Sequence, residues 1–429
     1  MTTVTADETA ILGAIDPERI TSELRTLVAT PSITGDEAEA ADVAATLLAD
    51  AGARVERFDV DPAEIASDPD FPGAEMPRLG LPLVFGRIGR SAPVPGGLVG
   101  RRVLLVGHTD VVPVGDRQAW SVEPWAGVVR DGRMYGRGAC DMKGGIAAIL
   151  AAVRALVATG AADRLDGELL VVLVPSEEDG GSGMLAAIRA GATGEAAIIA
   201  EPTRLELIVA HAGAITFRLE VPGRAAHASV RTEGVSALEN LFTLVRALEA
   251  DEAHRNASET DPLMTDLGMP YPTIVGKVSG GEWASTVLDR VVAEGRYGVR
   301  LGQTAGDAEL DLRECIARAC EEDPFLREHP AGVAITGGRF GSARVAPDGP
   351  LATAVAEAIR DATGREPGRL GAPYGADMRL LVHEGETPTV MFGPGDVRVA
   401  HAADEHVALA EVADCARALA VWVARQLAP

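Results

Sequence analysis

The chain has 429 residues, too many for one compact core at roughly 100–200 residues per domain, so two domains are expected. Hydrophobic residues make up 47% and charged residues 24%, which gives enough apolar surface to exclude disorder as the main state. Asp+Glu 63 against Lys+Arg 39 leaves a net charge of −24, which repels phosphate backbones and anionic lipid. No nucleic-acid or membrane partner is therefore expected, and metal cations are the better guess.

The N-terminal stretch MTTVTADETAILGAIDPERI is acidic and lacks a basic segment followed by an apolar run, so no signal peptide is read there. No stretch of about 18 uncharged apolar residues occurs, and the cytoplasm is the expected compartment. Asp16-Pro17-Glu18 predicts a capped helix over 16–28, with Leu24, Leu27 and Val28 at helical spacing. A second helix is predicted over 38–51 and a strand over 53–60. Residues 61–100, rich in Pro and Gly, predict loop and hairpin. The apolar run 102–108 predicts a buried parallel strand. Helix 143–159, strand 169–175, helix 182–190 and strand 196–200 continue an α/β alternation with helices on both faces of a sheet.

The pattern changes after residue 210. Strand 214–221, helix 236–250, strands 271–279 and 291–301, helix 307–320 and strand 332–338 follow the β-α-β-β-α-β order of a ferredoxin-like unit. The α/β pattern resumes from about 345, with helix 351–362, strand 389–392 and helix 407–426. The second domain is thus expected to be inserted in the first: 1–210 and 341–429 form one domain, 211–340 the other.

Ligands in open α/β sheets bind beyond the carboxyl ends of the strands. There the sequence places Gly107-His108-Thr109-Asp110, Ser176-Glu177-Glu178-Asp179 and Glu201-Pro202-Thr203. Asp141 opens a helix between them, and His401 follows the last strand. The cysteines Cys140, Cys315, Cys320 and Cys415 form no CxxC pair, so neither a thiolate cluster nor a disulfide scaffold is expected. Imidazole and carboxylate without thiolate suit Zn, Co or Mn, and more than four ligands suggests two ions. Two divalent ions would balance the carboxylates of Asp141, Glu178 and Glu201 plus a bridging hydroxide. Without cations the same acids would repel one another. A lone acid at a strand end is ordinarily a solvated loop acid or a helix cap, and Glu201 alone would be read so. The joint pattern is much harder to explain that way.

The stretches VGHTDVVP (106–113), YGRGACDMKGG (135–145), SEEDGGSG (176–183), AEPT (200–203), GRAAHAS (223–229) and AHAADEH (400–406) resemble the acetylornithine deacetylase, succinyl-diaminopimelate desuccinylase and aminoacylase family of dinuclear zinc metallopeptidases. The resemblance runs from about residue 20 to the end. It implies a zinc-exopeptidase-like α/β catalytic domain with an inserted ferredoxin-like lid and dimerisation domain, a homodimer, and a cis peptide after Asp141. It implies that His108 and Glu201 hold one metal, Glu178 and His401 the other, and that Asp141 bridges them. Asp110 would orient His108, Glu177 would be the general base, and His227 would reach the partner's site to donate to the oxyanion. The reaction implied is hydrolysis of a small N-acyl amino acid by a bridging hydroxide.

Substrates of such enzymes mostly carry a carboxylate, which calls for an arginine. Arg379 is the first candidate. Many relatives carry an arginine at the position of Gly298, and strand periodicity puts Arg296 and Arg300 on the same face as replacements. Ala376 replaces a hydroxyl residue that several desuccinylases carry. A dipeptidase or carboxypeptidase would use the same centre. A non-catalytic metal-binding homologue would not need Glu177, and a phosphoesterase is disfavoured by the GHxD and EE arrangement.

Overall fold

The structure, a computed structural model, describes residues 4–90 and 101–429. Sixteen strands lie among those residues. The first half of the chain carries β1 (Arg54–Val60), β2 (Leu81–Gly89), β3 (Arg102–His108), β4 (Val128–Arg130), β5 (Arg133–Tyr135), β6 (Glu168–Val174), β7 (Ala196–Ile199) and β8 (Leu207–His211). The second half carries β9 (Gly213–Pro222), β10 (Ile274–Gly280), β11 (Arg290–Val299), β12 (Gly332–Phe340), β13 (Ala343–Arg344), β14 (Arg369–Ala372), β15 (Thr389–Met391) and β16 (His406–Ala408).

The large sheet runs β1-β2-β6-β3-β7-β15-β8-β13, with β14 also paired to β8. Its centre, β6-β3-β7-β15, is parallel, and these strands read as unbroken apolar runs because both faces are covered. Helix Gly144–Ala158, buried almost all round, packs between the sheet and helix Leu409–Gln426. Asp16 caps helix Pro17–Ala29 as the sequence predicts. Its carboxylate accepts from the Glu18 amide at 2.9 Å and the Arg19 amide at 3.2 Å, a contribution of about 1 kcal/mol.

The smaller sheet is wholly antiparallel, in the order β10-β11-β9-β12. Helices Ala237–Ala257 and Ala305–Glu322 cover one face and bury Leu241, Leu244, Leu312 and Ile316 against Ile215, Phe217 and Tyr297. That core is separate from the main one. The fold is therefore an α/β domain with a ferredoxin-like second unit, the architecture expected.

The expectation of loop and hairpin over 61–100 needs correction. Residues 91–100 lie outside the described residues, but Leu81–Gly89 is a nine-residue strand between β1 and β6. Its Pro82 and Gly86 look like breakers. Gly86 is instead required by packing, since a Cβ there would lie 2.4 Å from Leu48 Cδ2. β8 and β14 are also absent from the sequence reading. Among the described residues no helix is long and apolar enough to cross a membrane.

Candidate functional site

Parallel pairing aligns the ends of the central strands. His108 ends β3 opposite Val174 of β6, and Val106 pairs with Ile199 of β7. The loops Ser176–Asp179 and Ala200–Glu201 consequently leave the sheet on the same edge as His108. Two glycines set the depth of Glu201. A Cβ on Gly145 would lie 2.0 Å from the Ala200 carbonyl oxygen, and one on Gly393 would lie 2.4 Å from those of Ala200 and Glu201. Ser176 and His401 adopt left-handed backbone (φ 69 and 59), which is uncommon for residues with a Cβ and clusters at functional sites. The Asp141–Met142 peptide is cis.

His108 Nε2 lies 3.1 Å from Asp141 Oδ1 and 3.9 Å from Glu201 Oε1. His401 Nε2 lies 3.1 Å from Glu178 Oε2 and 3.5 Å from Asp141 Oδ2. Asp141 thus stands between the two imidazoles. One donor atom each from His108, Asp141 and Glu178 fall within 4.8 Å of one another. The electrostatics of this cluster call for positive charge. Burial pulls the His108 pKa down, yet hydrogen bonds to Asp110 and Asp141 hold it well above the usual histidine value. Burial likewise opposes the His401 cation, and Asp141 and Glu178 still raise it to about 11. Glu201 is pushed well up by burial, and its Oε1 is buried without a hydrogen-bond partner. An orphaned carboxylate oxygen, paired acids and imidazoles are the donor set that divalent metal ions satisfy.

Asp110 acts on both sides of this cluster. Its main-chain carbonyl lies 2.9 Å from His108 Nδ1, while its carboxylate oxygen is farther, at 3.5 Å. The carboxylate instead accepts from the amides of Glu177 and Glu178, each at 3.1 Å, and from Thr34 Oγ1 at 3.1 Å. One residue therefore orients the imidazole and fixes the loop that carries both glutamates. Burial, followed by the charge of Glu201, raises the Glu177 pKa well above its ordinary value.

Asp141, Glu177, Glu178, Glu201, His401 and Arg296 line a single cavity of about 500 Å³. Arg300 does not. β11 ends at Val299, so the strand face that holds Arg296 does not continue to residue 300. Gly298 is explained by packing: a Cβ there would come within 2.7 Å of the Tyr271 carbonyl carbon, so that position admits no arginine. The neighbouring Pro272 fills the cavity wall. Arg379 is 3% exposed and does not line this cavity. It donates to the carbonyls of Ala376 and Gly180, and its guanidinium lies 4.3 Å from the centre of the Phe340 ring. Its charge is spent on holding the loop after Glu178. His227 is exposed on the lid, away from this cavity.

Sequence reasoning missed Glu405. Its Oε1 accepts from the amides of Cys140 and Asp141 at 2.9 and 3.1 Å, and its Oε2 pairs with buried Arg137. Its signal is its place in AHAADEH (400–406), four residues after His401. Glu405→Gln should weaken divalent-metal affinity about 10–100-fold with the fold retained, because the hold on Asp141 loosens. Metal titration followed by calorimetry checks this. An unchanged affinity would reduce Glu405 to a counter-ion for Arg137.

The family model for Peptidase family M20/M25/M40 matches residues 104–425. A succinyl-diaminopimelate desuccinylase of Methylobacterium radiotolerans is 32% identical over 409 residues, covering 90% of this chain and 91% of the relative. A di-peptidase of Saccharomyces cerevisiae, Dug1p, superposes with a TM-score of 0.75 at 16% identity, covering 98% of each chain. A metallo-carboxypeptidase of Sulfolobus solfataricus gives 0.73 at 16% identity, over 96% of this chain and 99% of the other. At those identities the structural likeness speaks for the fold alone.

Proposed function

The chain belongs to Peptidase family M20/M25/M40, and from that premise we propose that it removes the acyl group from a small N-acyl amino acid, as a cytoplasmic homodimer with two zinc ions (or cobalt or manganese). It is a metal-dependent hydrolase of amide bonds. The observation that carries the finer reading is one cavity lined by a buried base, Glu177, by the ligand acids Asp141, Glu178 and Glu201, and by Arg296.

In this reading His108 and Glu201 would hold one metal and Glu178 and His401 the other, with Asp141, which stands between the two imidazoles, serving both. Such ions would polarise an amide carbonyl and activate a water at neutral pH. Glu177, on the wall of the same cavity, would take a proton from the attacking water and return it to the departing amine. Arg296 receives the substrate carboxylate. Its Nε is buried without a partner, an arrangement that costs stability unless an anion arrives.

The lid, residues 211–340 in our division, supports a dimer. β10 is an edge strand, and Ile274, Val278 and Trp283 on and beside it are 61%, 54% and 75% exposed. An open edge with apolar side chains is a ready surface for pairing with a second copy.

The test is a mass-spectrometric screen of metal-loaded protein. The panel holds N-acetyl, N-formyl and N-succinyl amino acids, N-carbamoyl compounds and dipeptides, each with a chelator-treated control. Chelator-sensitive release from one N-acyl class is the expected result. Cleavage of dipeptides alone would make the protein a peptidase. No turnover at all would return it to a non-catalytic metal-binding role.

A further inference from the structure

Besides the base, the metal-ligand residues and Arg296, the cavity is lined by one further charged residue. Glu75 lines it, on the segment between β1 and β2. Thr216 Oγ1 donates to Glu75 Oε1 at 2.8 Å, and no described residue engages Oε2. Glu75 is firmly mounted. Its amide and that of Met76 donate to Asp179 Oδ2 at 3.2 and 3.0 Å, and Arg78 joins the same carboxylate at 2.6 Å. Thr216 of β9 pairs directly with Arg296 of β11. Directly opposite residues put their Cβ atoms about 5 Å apart on one face of the sheet. Glu75, whose side chain is open to solvent, and Arg296 are therefore both neighbours of Thr216 and of opposite sign, and among the described residues no ion pair joins them.

The charge count of the cavity sharpens this. Two divalent ions and a hydroxide would neutralise Asp141, Glu178 and Glu201, and Glu177 would be the proton carrier. What remains is one positive charge on Arg296 and one negative charge on Glu75. A substrate with only a carboxylate would answer the first and leave the second facing it.

We propose that Glu75 is a specificity-determining residue that receives a protonated amine, so that the preferred amide carries both a carboxylate, for Arg296, and an ammonium group. This rests on the reading of the cavity as the substrate site of an amidohydrolase.

The test is calorimetry on metal-loaded Glu177→Gln protein, which binds without turnover, with two matched pairs of ligands. Nα-acetyl-L-lysine against Nα-acetyl-L-norleucine varies an ammonium on the amine side of the amide. Glycyl-L-norleucine against Nα-acetyl-L-norleucine varies one on the acyl side. In at least one pair the ammonium-bearing ligand should bind tenfold or more tightly. Adding Glu75→Gln should shrink that ratio below twofold, since glutamine keeps an acceptor for Thr216 and loses only the charge. Arg296→Met should weaken both members alike. Equal binding within both pairs, or a preference that survives Glu75→Gln, overturns the proposal. Turnover by the Glu177 protein separates the two failures. Hydrolysis without a Glu75-dependent preference leaves the amidohydrolase standing and removes Glu75. A Glu75-dependent preference without hydrolysis keeps the ligand class and removes the reaction.

Discussion

Glu177→Gln should lower turnover by roughly 10³–10⁴-fold while metal content stays at the wild-type level. The loop that carries Glu177 is held by main-chain groups, since the Glu177 and Glu178 amides both donate to Asp110. An isosteric amide leaves those bonds in place. It also leaves Glu178, Asp141, Glu201, His108 and His401 free to hold metal. What it removes is the buried carboxyl to which the proposed mechanism assigns the proton of the attacking water. Steady-state rates and elemental analysis of the same preparation read the two quantities separately. Activity within tenfold of wild type would remove Glu177 as the base. Loss of metal together with activity would make it a ligand or a structural support instead.

Much of this fold was legible because its central strands are parallel and buried. Arg102–His108, Glu168–Val174 and Ala196–Ile199 are apolar runs ending in polar residues, and those endings are the site. Parallel pairing then brings residues far apart in sequence to one edge without any side-chain detail. β2 was illegible for the opposite reason. Its glycine answers to a helix packed on it, and sequence alone attributes such a residue to a turn. β8 and β14, five and four residues long, are absent from the sequence reading although the equally short β7 is in it.

The substrate arginines show a sharper limit. Residue type and motif position made Arg379 a reasonable carboxylate receptor, but burial and two backbone carbonyls claim its guanidinium. Arg296 and Arg300 shared one face only as long as the strand continued, and it stops between them. Glu405 was hidden because it serves the backbone of Asp141 instead of holding an ion itself. Residues that contact a ligand are confined by chemistry to a few types. Residues that support them are not, and only the folded geometry singles them out.

His227→Ala should cost roughly 10²–10³ in turnover, the loss expected for one oxyanion donor. In a single chain this residue has no evident task. It is exposed, it does not line the cavity, and it lies beside Thr286 at the open edge of the lid. Its ring is nevertheless poised. The Ser229 amide donates to Nδ1 at 3.2 Å, and the Ser229 hydroxyl lies 2.8 Å from the same nitrogen. An Nδ1 that accepts leaves Nε2 as the ring's donor. If the protein is the proposed dimer, this exposed donor would serve the site of the other copy. Mixing inactive Glu177→Gln with inactive His227→Ala chains should then restore activity, because each hybrid dimer contains one site with both residues intact. With equal amounts and free exchange of subunits, half the dimers are hybrids and about a quarter of the sites recover. If exchange is verified by mass spectrometry and no activity returns, His227 does not act across the dimer. A loss below tenfold in His227→Ala itself would leave the residue as a cap of its own loop.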